Sequence, residues 1–189
     1  MMNPVLGAIQ KRRAVFQKQY NDTVISDENL QAILEAGNAA PTHKRTEPWR
    51  FVVFRKKGLE RLGGELARLY KETTSADTYN EKKAENTLEK AKAANVVLAI
   101  VVDYTGRVPE WEELAATACA VQNMWLAAHS LGIGSYWSSP QTIQYLDAFL
   151  GLNENQKCIG LFYMGHTDVE PTLPNRTDVE EKILKWVEE

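Results

Sequence analysis

The chain has 189 residues, 44% hydrophobic and 25% charged, a size and balance that support a true hydrophobic core. A net charge of −3 and a pI of about 5.7 supply no basic field, which excludes nucleic acid as the main partner. The longest apolar run, Val96–Val102, is too short to span a bilayer, and Met1–Ile9 lacks the basic start and long apolar core of a signal peptide, so the expected setting is the cytoplasm, with no membrane partner.

Asn3-Pro4 forms a good N-cap and N1 pair, and Val5, Leu6 and Ile9 begin an amphipathic helix that ends in Lys11-Arg12-Arg13. Ser26 can cap a second helix, with Asp27 and Glu28 well placed for its dipole. Leu30, Ile33, Leu34 and Gly37 follow at helical spacing on one buried face, and Pro41 is expected to stop the helix. Phe51–Phe54 reads as a strand, Lys56-Lys57-Gly58 as a turn, and Leu59, Leu62, Leu66 and Leu69 as the apolar face of another helix. Residues 71–93 are rich in Lys, Glu, Asn and Thr, which suggests a solvated helical excursion or lid rather than core.

Asn95–Asp103 is β-branched and lacks alternation, the pattern of a strand covered on both faces. A loop through Gly106 and Pro109 leads to a long helix, 111–131, whose buried side is read as Ala115, Ala118, Val121, Trp125 and Ala128. Gly132–Pro140 is a glycine-containing loop or short strand, Ile143–Leu150 a short helix closed by Gly151, and Cys158–Met164 a final core strand. The tail carries Pro171, Pro174 and Arg176 before a last helix with Val179, Ile183, Leu184 and Val187. Cys119 and Cys158 sit in apolar segments without CxxC spacing and are expected to be buried reduced thiols. This order predicts a mixed α/β (α+β) chain with a small central sheet layered by helices, 1–189 forming one domain. The first helix and the tail are expected to need a second subunit to cover them.

No nucleophile triad can be assembled, and His43, His129 and His166 form neither an HExxH nor an HxxxH pair, so no metal site is expected. Gly132-Ile133-Gly134 lacks the third glycine of a dinucleotide fingerprint and follows a helix, and no GxxxxGK[ST] loop occurs. What remains is a set of separated basic positions: Arg12-Arg13, His43-Lys44-Arg45 and Arg176. Guanidinium forks suit phosphate, and two or three converging from distant segments can hold one phosphate-bearing cofactor. The simpler alternative is that Lys11–Arg13 only complement a helix C-terminus.

The pattern Arg12-Arg13-Ala14, Ile33-Leu34-Glu35-Ala36-Gly37, and Ala40-Pro41-Thr42-His43 through Glu47-Pro48-Trp49-Arg50-Phe51 resembles the FMN-dependent nitroreductase family. The resemblance continues through Trp111-Glu112-Glu113, Ala120–Asn123, Ala127–Gly134, Trp137-Ser138-Ser139, Gly160–Gly165 and Pro174-Asn175-Arg176, so it covers essentially the whole chain in order. The Ala-Pro-x-His-Lys variant is similar to the small, minimal-length branch of the family.

The resemblance implies a three-layer sandwich with a mostly antiparallel central sheet and an intertwined homodimer holding FMN at the subunit interface. It points to Arg12, Arg13 and the Ala14 backbone for the phosphate and the polar edge of the flavin, with Arg176 as a second phosphate ligand. Trp137, Ser138 and Ser139 would line the cofactor, and His43 would reach it from the neighbouring subunit, with Lys44 and Arg45 as alternatives. Relatives usually carry Ser where this chain has Ala14, a Lys or Arg where it has Phe16, and Gln where it has Glu47. The implied activity is hydride transfer from NADH or NADPH through FMN to a nitroaromatic, quinone or similar small-molecule acceptor, with no side chain assigned as catalytic acid, base or nucleophile. Flavin storage or sensing, and dehalogenase or ene-reductase chemistry, are the alternatives.

Overall fold

In chain order, α1 (Pro4–Lys11), α2 (Asp27–Asn38), β1 (Trp49–Arg55), α3 (Lys57–Thr73) and α4 (Glu81–Lys92) form the first half of the chain. The second half is β2 (Val96–Asp103), α5 (Glu110–Ser130), β3 (Ile133–Ser138), α6 (Asp147–Leu150) and β4 (Gln156–His166). The computed structural model describes residues 3–170, 172–173 and 175–188; Pro171 and Pro174 of the tail lie outside the described residues.

The helix starts follow local chemistry. The Asn3 side chain accepts from the Val5 and Leu6 amides, and the Ser26 hydroxyl accepts from the Asn29 amide at 3.1 Å. Ser26→Ala is expected to cost about 1 kcal/mol, seen as a lower urea midpoint with an unchanged slope. At the other end, α2 stops at Asn38, before Pro41: the chain has already left the helix when it meets the proline.

The four strands pair in the order β1-β2-β4-β3, every pairing antiparallel. β2 is central and buried from Val96 through Val102, as its unbroken apolar run requires. Its residues alternate between two cores. Val97, Ala99 and Val101 join Leu161, Tyr136 and Tyr163 against Leu59, Leu62, Leu66 and Leu69 of α3. Leu98 and Ile100 join Phe162 and Met164 against Ile33 of α2 and Val121, Met124 and Ala128 of α5. The result is a helix–sheet–helix sandwich, as the resemblance implied.

Several sequence expectations are corrected. The buried face of α5 is rotated: Ala116 and Ala120 are buried with Val121, Met124 and Ala128, whereas Ala115 is exposed and Ala118 half-buried. In an alanine-rich helix neighbouring phases are nearly equal in apolar area, so the facing residues decide. Cys119 is exposed, one position off that face; Cys158 is buried in β4, which pushes its thiol up to about 11. The last helix does not form. Only a 3-10 turn at Glu180–Lys182 is present, and Leu184, Trp186 and Val187 lie exposed, because a short helix has no stability without a surface for its apolar side. Gly132–Pro140 resolves into β3, an edge strand. Residues 71–93 hold the end of α3 and all of α4, and α4 buries Ala84 and Ala91 while its other face is solvated. Gly151 closes α6 in the left-handed region, at φ 68°.

Candidate functional site

Arg12 is the C-cap of α1, where the backbone turns extended and the chain runs beside β3. The Val15 amide donates to the Ser135 carbonyl at 3.1 Å, which sets Arg12 and Arg13 at the start of the sheet edge. The Arg12 guanidinium lies 4.4 Å from the centroid of the Trp125 ring, a cation–π contact across α5. Burial, then the charges of Arg13 and Arg176, hold its pKa below the usual guanidinium value. Arg176 of the tail therefore lies close enough to be felt. Among the described residues, none of these three arginines forms an ion pair with a carboxylate. His129 of α5 belongs to the same positive region: burial first, then Arg12, Arg13 and Lys11, lowers its pKa. Converging cations with no counter-charge are unfavourable until an anion joins them, and the Nε atoms of Arg12 and Arg13 are buried without a partner.

The same strand edge presents Trp137, Ser138 and Ser139 at the end of β3. Trp137 packs against the α2–α5 core, yet its indole Nε1 is buried and unpartnered, as is the Ser135 hydroxyl. Beside it, Phe16 packs against Tyr136 with ring centroids 4.9 Å apart, and Tyr136 stacks on Tyr163 at 4.9 Å. Ser138 accepts from the Lys90 ammonium at 3.4 Å, and Ser139 and Ala14 are exposed. Arg12 and Arg13 thus lie beside the Ser135 part of β3, with the charge of Arg176 acting on Arg12, while Trp137, Ser138 and Ser139 follow at the far end of that strand.

His43 does not join them within one chain. Its Nδ1 meets Glu112 Oε2 at 2.5 Å, near the start of α5, while Trp125 and His129 lie near the end of that helix. At 1.5 Å per residue, 17 residues of α5 separate Glu112 from His129 by about 25 Å. The loop carrying His43 is held tightly. Arg107 donates to the Lys44 carbonyl at 2.5 Å, Thr42 and Thr46 hydroxyls pair at 2.9 Å, and the Trp49 indole donates to Asn38 at 3.1 Å. Lys44, Arg45 and Glu47 all adopt positive φ, each costing on the order of 1 kcal/mol that the surrounding bonds must offset. His43 and Arg12 therefore lie near opposite ends of α5.

Sequence reasoning did not assign Trp125, His129, Ser135 or Lys90 to this region. For the first two a signal existed: Trp125 and His129 are four apart on α5, so they share the face that meets Arg12. Ser135 and Lys90 are placed only by strand pairing and helix packing.

No helix among the described residues is long and apolar enough to cross a membrane. A sequence model described as the Nitroreductase family matches residues 9–166. The chain is 32% identical over 143 residues to the Escherichia coli (strain K12) protein named "Putative NAD(P)H nitroreductase YdjA", covering 73% of this chain and 75% of that one. In structure it is similar to a nitroreductase-like family protein from Bacillus cereus, with a TM-score of 0.84 at 22% identity over 100% of this chain and 98% of that one. A Desulfovibrio desulfuricans protein described as "a putative nitroreductase in complex with fmn" superposes with a TM-score of 0.77 at 27% identity over the full length of both chains (100% and 100%). With a matched region, 9–166, that holds Arg12, Arg13, His43 and all four strands, this chain belongs to the nitroreductase family.

Proposed function

We propose that the protein is an FMN-dependent NAD(P)H oxidoreductase that reduces nitroaromatic, quinone or similarly electron-poor acceptors, and that it works as a homodimer. The observation that carries this reading is the uncompensated trio Arg12, Arg13 and Arg176, set beside a strand end with unpaired buried donors. That donor set fits FMN, which offers a phosphate for the guanidinium forks and a flat ring with a polar edge. FMN, when bound, supplies the hydride chemistry between nicotinamide and acceptor.

This chain's residues then bind, orient and exclude water. Arg12, Arg13 and Arg176 hold the phosphate, and the stacked Trp125 ring keeps the Arg12 fork from swinging away. The backbone at Ala14 needs no hydroxyl to meet the flavin's polar edge. Trp137, Ser138 and Ser139 line the cofactor, with the indole N–H as an unspent donor. Trp125 and Trp137 together keep water from one wall, which strengthens each charge contact inside. No side chain has to act as acid or base.

A second copy explains what one chain leaves open. Val5, Leu6 and Ile9 of α1 are 64%, 55% and 47% exposed, and Trp111 is 67% exposed beside His43's partner Glu112. Apolar side chains in that number mark an interaction surface. Burying them against a second chain would bring the His43 loop of one copy to the arginine end of the other.

Purified protein should be yellow, and NADH or NADPH should bleach it in the absence of air, with colour returning as a nitroaromatic or quinone is consumed. Colourless protein that cannot be reconstituted with FMN would defeat the proposal. Light scattering should give the mass of a dimer; a monomer that retains FMN tightly would contradict a shared site.

A further inference from the structure

Between α3, α4 and the connection that follows β3 lies a cavity of about 480 Å³, within the range of small-molecule sites. Its walls include Tyr70, Lys83, Lys90, Gln141, Thr142 and Tyr163. Lys83, Thr87 and Lys90 all face it, as positions four and three apart on one side of α4 must. No carboxylate lines it among the described residues, and neither lysine forms an ion pair there. Lys83 lies 4.9 Å from the Tyr70 ring centroid, and Lys90 lies 5.2 Å from the centroids of both Tyr136 and Tyr163. Two ammoniums are thus held on aromatic faces, pointing into a space that offers them no counter-ion.

This arrangement suits a flat anion. The tyrosine rings and Leu66 give it apolar walls, the lysines give it charge, and Gln141 and Thr142 give it neutral polar groups. Burial alone lowers the Lys90 pKa, so an anion at this lysine would relieve an existing penalty. The cavity also adjoins the proposed flavin wall. Lys90 donates to Ser138 at 3.4 Å, and Pro140, two residues further on, lines the cavity itself.

We propose that this cavity selects aromatic acceptors that carry a carboxylate, with Lys83 and Lys90 as the residues that determine specificity. The inference rests on the flavoenzyme reading for its use in turnover, though not for binding. An anion seated between the lysines would hold its ring along the tyrosine wall, directed towards Ser138 and the flavin side. A neutral acceptor would fill the same volume without the charge contacts.

The test compares 4-nitrobenzoate with the neutral, similarly shaped 4-nitrobenzamide by titration calorimetry on the protein as purified. The benzoate should bind about tenfold more tightly, the size of one good charge-assisted contact. Lys83→Met should remove most of that preference while leaving the benzamide affinity within about twofold, Lys90→Met should remove it as well, and Lys83→Arg should keep it. Rising salt should erode the preference. Equal affinity for the two probes, or lysine variants that weaken both alike, would overturn the proposal. Since calorimetry needs no turnover, the two readings can fail separately: a yellow, NAD(P)H-reducible protein without the preference rejects the anion site alone. Colourless protein that keeps the preference rejects the FMN reading and leaves the anion site standing.

Discussion

Arg12→Ala should release FMN, weakening its affinity by roughly one hundredfold in a fluorescence titration of apoprotein with FMN. Two contributions set that size. A charge-assisted hydrogen bond to phosphate contributes about 1.5–3 kcal/mol, and the cation–π contact that orients the fork adds about 0.5–1 kcal/mol. Together they amount to about 2–4 kcal/mol, or tens- to several-hundred-fold in affinity. Arg12→Lys should recover only part of the loss, since an ammonium keeps charge but has no planar fork to match phosphate or stack on Trp125. Lys57→Ala, at the exposed start of α3, is the control and should leave affinity unchanged. Equal retention in the Arg12 and Lys57 variants would remove Arg12 from the phosphate site.

Gly160→Ala should damage stability and cofactor retention together. A Cβ at Gly160 would collide with Trp137 Nε1, lie 2.7 Å from its Cδ1 and stand 3.0 Å from the Ser138 carbonyl. The carbonyl belongs to the β3 backbone, paired in register with β4, so it cannot move without loosening the ladder. Overpacking of this kind costs about 1–3 kcal/mol, and here the upper figure applies, since both neighbours are confined. For a chain of this length that lowers Tm by about 6–12 °C. The indole that must shift is the one proposed to line FMN, so a weaker FMN affinity should accompany the lower Tm. Gly64→Ala provides the opposite sign: nothing lies within 4 Å of its added Cβ on the exposed side of α3, and the change should stabilise by about 0.5–1 kcal/mol. A Gly160→Ala protein with unchanged melting and FMN affinity would show that Trp137 can relocate freely and is not a fixed wall.

Gly160 also shows where reading along the chain stops. The resemblance includes Gly160–Gly165, but no local pattern says why Gly160 has no side chain; that requirement comes from Trp137, 23 positions earlier and brought alongside only by the β3–β4 register. Ser135 and Lys90 are of the same kind. Arg12 and Arg176 lie far apart in the chain, and their shared positive region exists only once the tail passes the end of α1. The His43 loop was legible in part. Its prolines, Trp49 and basic residues announced a firmly held polar segment, but its left-handed backbone and the Glu112 contact came from folding.

The sequence by itself determined the elements whose signal is local. Asn3 and Ser26 cap helices because a short polar side chain reaches amides two or three residues on. β2 is central because seven successive apolar residues cannot tolerate a wet face. The leucine spacing of α3 defines its buried side for the same reason. Tertiary structure alone decided the face that α5 buries, the exposure of Cys119, the loss of the last helix and the distance of His43 from the arginines. Each of those depends on what stands opposite: an alanine-rich helix has no strongly preferred phase, a short apolar tail has no helix without a surface, and the distance between two loops far apart in the chain is set only by the elements packed between them.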